Sequence, residues 1–113
     1  GSWSDWLALD EMAVDPRVLG RHTLQVQVPA FSAEFQIVRN RDWSQVLFPS
    51  YPRCGSNKVA ESKVLGPDDG GHGYNWVISC QPGDHIVIEF HRTFEDGEDR
   101  REVSWRTANP PAP

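Results

Sequence analysis

The sequence predicts an all-β chain, a β-sandwich of six to seven short, mostly antiparallel strands. Three observations predict it. In His22–Val28, Leu24, Val26 and Val28 alternate with Thr23, Gln25 and Gln27. That period of two gives a strand one apolar and one wet face. The period returns in His85–Phe94, where Ile86, Ile88 and Phe90 share a face. Turn signals punctuate the apolar runs, and no stretch carries the period of a long helix.

Residues 1–20 keep neither period and read as loop with one turn of helix at most; Asp15-Pro16 marks a turn. The strand at 22–28 ends at Pro29. Phe35–Pro49 reads as strand, turn and strand. Phe35 and Ile37 share one face, Gln36 points to the other, and Arg39-Asn40-Arg41-Asp42 is the charged turn. Trp43 follows at the mouth of this hairpin. Residues 49–73 are irregular, with a short strand expected over Lys58–Leu65 and a flexible loop over Gly66–Gly73.

Strand character resumes over Tyr74–Cys80, with Trp76 read as core and Val77 or Ile78 on the opposite face. Gln81-Pro82-Gly83-Asp84 is a turn. Glu95-Asp96-Gly97-Glu98 is a hairpin turn of the Asp-Gly kind, leading into a return strand over Arg101–Arg106 that carries Val103 and Trp105 on one side. The whole is expected to be one domain over residues 1–107, and the Pro-rich residues 108–113 read as a tail or the start of a linker in a longer protein.

Composition narrows the function classes. The formal net charge of −5 argues against a non-specific grip on nucleic-acid phosphates. Arg92, Arg100, Arg101 and Arg106 are interleaved with Glu95, Asp96, Glu98, Asp99 and Glu102, which reads as a solvated hairpin. No run is long and apolar enough to cross a bilayer, and no signal peptide is visible. Partners on a membrane or among nucleic acids are therefore not expected. Cys54 and Cys80 lack metal-like spacing and are expected as free thiols. They leave the compartment open; a soluble, intracellular protein is the expectation.

Catalytic signatures are not found: there is no Gly-x-Ser-x-Gly elbow, and paired carboxylates occur only in polar loops, where nothing would raise a pKa. The chain is expected to be no enzyme itself, though it suits an accessory domain of one. His85, Glu89 and His91 share a strand face, but residues four and two apart on an extended strand lie roughly 13 and 7 Å apart, so His85 is too far from His91 for one ion, and Glu89 with His91 alone is too few ligands. Asp68-Asp69-Gly70-Gly71-His72-Gly73 lacks the alternating oxygen ligands of a calcium loop. No metal and no cofactor is expected.

The aromatic residues remain. A single Trp is more often packing than platform. Trp6 and Trp43, however, each stand beside a polar loop or turn, and an indole face suits the C–H face of a sugar while nearby amides meet its hydroxyls. Gln36 and Asn40 are amides of that kind. At these residues the chain resembles the starch- and glycogen-binding modules. Those include the starch-binding domains of amylolytic enzymes and the glycogen-binding domain of the AMP-activated kinase β subunit. Gly1-Ser2-Trp3-Ser4-Asp5-Trp6 looks like their Gly-Ser-Phe-x-x-Trp segment, and Phe35 to Trp43 looks like their aromatic-Lys-Phe-x-x-x-Gly-x-Trp hairpin.

The resemblance covers about residues 1–50. It implies an immunoglobulin-like β-sandwich, stacking of α-glucan glucose units on Trp6 and Trp43, and the family's Lys role at Gln36. It also suggests Asn75 for an Asn found after the second Trp. The sequence departs from the family's pattern where Gln36 replaces Lys, in the long 49–73 segment, in the charged C-terminal hairpin, and at the strand that normally precedes the Gly-Ser segment, whose place another segment is expected to fill unless the sequence is a truncated piece. The expected function is a non-catalytic carbohydrate-binding module for starch, glycogen or a maltooligosaccharide, tethering the other domains of a parent protein to the polysaccharide. The alternative is a protein–protein interaction or structural β-sandwich domain, whose Trp residues would be packed against neighbours.

Overall fold

The computed structural model describes residues 1–4, 10–59 and 62–108, with only the backbone of Ser4. Among the described residues the chain is all-β, with one 3₁₀ turn at Ser2–Ser4 and antiparallel sheets compatible with the expected sandwich. Nine strands are described, two of them only two residues long. The chain divides into two compact units, one drawn from Gly1–Leu9 and Ser32–Ser79, the other from Asp10–Phe31 and Cys80–Pro113.

The second unit holds a four-stranded sheet in the order β1-β2-β8-β9, formed by Ala13–Val14, Arg21–Val28, Asp84–Glu95 and Glu98–Ala108. Its logic is local. The apolar alternation puts Val26, Val28, Ile86, Ile88 and Val103 among the buried residues while Gln25 and Gln27 stay exposed. Strands β8 and β9 pair without slip from His85↔Ala108 to Glu95↔Glu98. Asp96 and Gly97 close this hairpin with both φ angles positive, as a two-residue turn matching strand twist requires. The turn at Gln81–Asp84 forms as expected, with Asp84 N–H donating to the Gln81 carbonyl at 3.0 Å. The return strand is longer than Arg101–Arg106, because the ladder starts directly at the turn.

The expected charged surface of this hairpin is laced by ion pairs. Arg92 forms a two-pronged contact with Asp99, both hydrogen bonds at 3.0 Å. That contact holds the Asp99 carboxyl below the usual carboxylate range. Glu89 bridges Arg21 and Arg106. Its carboxylate is thus engaged by two guanidinium groups on the strand face that carries His85 and His91. Among the described residues, Ala13–Val14 pairs with His22 and Thr23, a strand not legible in the aperiodic first 20 residues.

The first unit is less regular. Ser32–Phe35 (β3) pairs with Trp76–Ser79 (β7), and Ile37–Val38 (β4), Val46–Pro49 (β5) and Val64–Asp68 (β6) form a three-stranded sheet. Its buried residues include Ala33, Phe35, Val46, Leu47, Phe48, Cys54, Trp76 and Ile78. Phe35 stacks on Trp76 with ring centroids 5.3 Å apart, and Trp3 tilts against Phe35 at 6.5 Å. Trp76 is core as expected, but Ile78 is buried on the same face, since residues two apart on a strand must share one. Cys54 is a buried free thiol whose pKa is raised by that burial; Cys80, in the second unit, is also free.

Three expected boundaries shift. The run from Phe35 to Ile37 is not one continuous strand, because Phe35 pairs with Trp76 while Ile37 pairs with Leu47. Lys58 belongs to a turn, its N–H donating to the Gly55 carbonyl at 3.0 Å, and the strand begins at Val64. Gly66-Pro67-Asp68, read as loop, lies in β6, where pairing with β5 overrides low strand propensity through a register shift between Val46 and Phe48.

Candidate functional site

The site lies wholly in the first unit. Gln36, Trp43, Val46, Asp69, Gly71, His72, Gly73 and Asn75 line a groove of about 490 Å³. It brings together three of the five residues expected from sequence: Gln36, Trp43 and Asn75. Asn40 is not among the lining residues, and Trp6 lies outside the described residues.

Trp43 is carried by a seven-residue turn, 39–45, between β4 and β5. Arg39 N–H donates to the Gln45 carbonyl at 2.9 Å and closes the turn's base. Asn40 and Arg41 both sit at positive φ, 54° and 57°. Asn tolerates that conformation better than most residues, so Asn40 serves the turn's path. Asp42 is the organiser. Its carboxylate accepts from Ser44 N–H at 2.9 Å, Ser44 Oγ at 2.7 Å and Gln45 Nε2 at 3.0 Å. These bonds, Gln45's foremost, lower the Asp42 pKa to about 2. The turn leaves Trp43 45% exposed. Its charged run and Trp43 were legible; the carboxylate clamp on both Ser44 and Gln45 was not.

Gln36 occupies the break between β3 and β4. Its Nε2 donates to the carbonyls of Gly71 at 2.6 Å and Tyr74 at 3.0 Å. The amide therefore spends both N–H donors on the loop opposite, and its Oε1 is what it can offer a ligand. The donation to sugar hydroxyls that the resemblance implied for this position would have to compete with these two contacts, which tie Gln36 to the groove wall. That wall is 69–75, of which 69–73 fall in the segment read from sequence as a flexible loop and 74–75 in the strand expected after it. Gly71 is buried, and a Cβ there would stand 2.5 Å from the Phe48 ring. Glycine is required here for close approach. Tyr74 meets Phe48 edge-on at 6.4 Å.

Asn75 is half-buried. Its carbonyl accepts from Cys54 N–H at 2.8 Å, and its Nδ2 reaches Glu34 Oε1 at 3.5 Å. The backbone bond anchors it beside β7 while its side chain lines the groove. Asp69 and His72 are the polar lining residues that sequence reasoning did not assign. Their signal was the polar loop directly preceding Tyr74-Asn75. Asp68 does not share their place: its carboxylate accepts from Gly70 N–H at 2.7 Å. Among the described residues, no three or more His, Cys, Asp or Glu are grouped to hold a metal ion.

Chemically, the groove combines an indole, two amides, an imidazole and a carboxylate. No protein-family model matches the chain, and no curated protein or solved structure matches it either.

Proposed function

We propose that this chain is a non-catalytic carbohydrate-binding module that takes an α-glucan chain in the Trp43 groove and tethers a larger protein to it. The observation that carries the reading is the half-exposed Trp43 ring in a groove of about 490 Å³ shared with Gln36, Asn75, Asp69 and His72. An aromatic face beside convergent planar polar groups is what a sugar ring needs, because it presents apolar C–H faces and a rim of hydroxyls. The α-glucan class rests on the resemblance at 1–6 and 35–43. Affinity is modest, since an open groove desolvates little area, and attachment to a polysaccharide gains from many sites in parallel.

The test is titration of intrinsic Trp fluorescence with maltoheptaose and β-cyclodextrin, beside native gels cast with amylopectin. Binding with loss on Trp43→Ala supports the reading, and Trp6→Ala tests the second half of the platform. If neither glucan perturbs the protein, and Trp43→Ala changes stability alone, the reading is sunk.

A second reading has its own support. In the second unit Leu19 is 95%, Phe31 68% and Phe94 70% exposed. Large exposed apolar side chains suit an interaction or structural domain whose partner covers them. Pull-down behaviour unchanged by Trp43→Ala but altered by Phe31→Ser would favour it.

A further inference from the structure

We propose that Asp69 makes the groove selective for uncharged sugar chains: its carboxylate accepts hydroxyl hydrogens from a sugar on Trp43 and repels sugars bearing carboxylate or sulfate. This rests on the reading of the groove as a carbohydrate site.

The argument is one of inventory. Among the described lining residues Asp69 is the one carboxylate, and no Lys or Arg lines the groove. Arg39 and Arg41 stand in the neighbouring turn but are not lining residues. The Gln36 donors are spent on Gly71 and Tyr74. The neighbouring carboxylate of Asp68 is turned to the loop backbone at Gly70. Asp69 is exposed, so its oxygens are available to incoming hydroxyls.

A sugar hydroxyl donates readily, and a hydrogen bond to an ionised acceptor is about twice as strong as a neutral one. A uronate or sulfate would meet that same negative charge with no lining Lys or Arg to balance it. The chain's formal net charge of −5 adds repulsion of the same sign. His72 and the second N–H of Asn75, whose first reaches Glu34 Oε1 at 3.5 Å, supply donors on the same wall, so a neutral polyol finds both polarities within one groove.

The experiment compares maltoheptaose with the same α-1,4 chain oxidised to carboxylate at C6, by calorimetric titration at low ionic strength. The wild-type protein is expected to bind maltoheptaose at least roughly ten-fold more tightly than the oxidised chain, with the gap narrowing as salt screens the charge. Asp69→Asn should close most of that gap. Asp69→Ala should weaken maltoheptaose by roughly ten-fold. Since Asp69 is exposed, both variants should keep the wild-type circular dichroism spectrum and melting temperature. If maltoheptaose binds and neither variant moves either affinity, Asp69 is not the selector, while the glycan reading stands. Equal or tighter binding of the oxidised chain by the wild type also overturns the proposal. If the wild type binds neither chain, the glycan reading itself fails and takes the proposal with it.

Discussion

The β8–β9 hairpin and the Trp43 groove are built by opposite means. The hairpin is a single ladder from His85↔Ala108 to Glu95↔Glu98, closed by the adjacent Asp96-Gly97 turn. Each of its contacts is implied by the one before it. Of the groove's described lining residues only Val46 lies in a paired strand. The groove depends on one side chain, Gln36, reaching across 35 residues to the Gly71 carbonyl, and on a glycine thin enough to lie against Phe48. A regular strand pair is redundant, so losing one contact leaves the neighbours in register. A groove assembled from single long-range contacts can be opened by removing any of them.

That contrast can be tested, and the largest effect should come from the core beneath the groove. Trp76→Ala removes a ring that is 1% exposed and stacked on Phe35. A loss of about 3–5 kcal/mol is expected in denaturant unfolding. If the loss stays below 1 kcal/mol, the packing described for the first unit is wrong.

Gly71→Ala comes next. The added methyl meets the Phe48 ring at 2.5 Å, and such overpacking costs about 1–3 kcal/mol. The loop should shift, so under the proposed function maltoheptaose binding should weaken more than stability alone explains. The comparison on the hairpin side is Gly97→Ala, where nothing lies within 4 Å of the Cβ and only the positive φ opposes the change.

Gln36→Ala and Gln27→Ala compare the same side chain in the two settings. Gln36→Ala removes two hydrogen bonds, one to the Gly71 carbonyl, which keeps the Tyr74 N–H at 2.9 Å, and one to the exposed Tyr74 carbonyl, for about 1–3 kcal/mol together. Gln27 donates one exposed bond to the Gly83 carbonyl at 3.2 Å, and its loss should cost less than about 0.5 kcal/mol. Equal losses would remove the distinction between redundant and single-point assembly. Gln36→Lys should also loosen the 71–74 wall, as seen by amide hydrogen exchange.

The smallest effect is pH-dependent and confined to the turn. Asp42 has a folded pKa of about 2, lowered from 3.8. Its contribution is therefore fully present above the unfolded value and is lost as pH falls from about 4 through about 2, where the unfolded chain takes up the proton first. Chemical shifts of the Ser44 and Gln45 amides, followed on acidification, should change in that window and stay flat above it. Asp42→Asn should abolish the transition.

Much of the second unit was legible because its signals are local. Alternation at 22–28 and 85–94, Pro82-Gly83, and Asp96-Gly97 each speak to residues a few positions away. In the first unit the same kind of reading located the Trp43 turn and its charged residues, and it singled out Gln36 and Asn75. It did not show where the Gln36 donors go, because its partners are backbone carbonyls that carry no residue-specific signature. It read 66–68 as loop, since glycine and proline argue against a strand until a paired neighbour supplies the hydrogen bonds.

What the amino-acid sequence determined by itself is the all-β character, most turns, and a short set of candidate site residues. All follow from the period of two and from the dihedral preferences of a few residues. What only the tertiary structure decided is which of those residues share a groove. Gln36, Trp43, Asp69 and Asn75 meet because β3 breaks, β7 pairs with it, and Gly71 packs on Phe48. Those are contacts between distant segments, whose geometry is selected by packing and by satisfying backbone groups rather than by any local pattern.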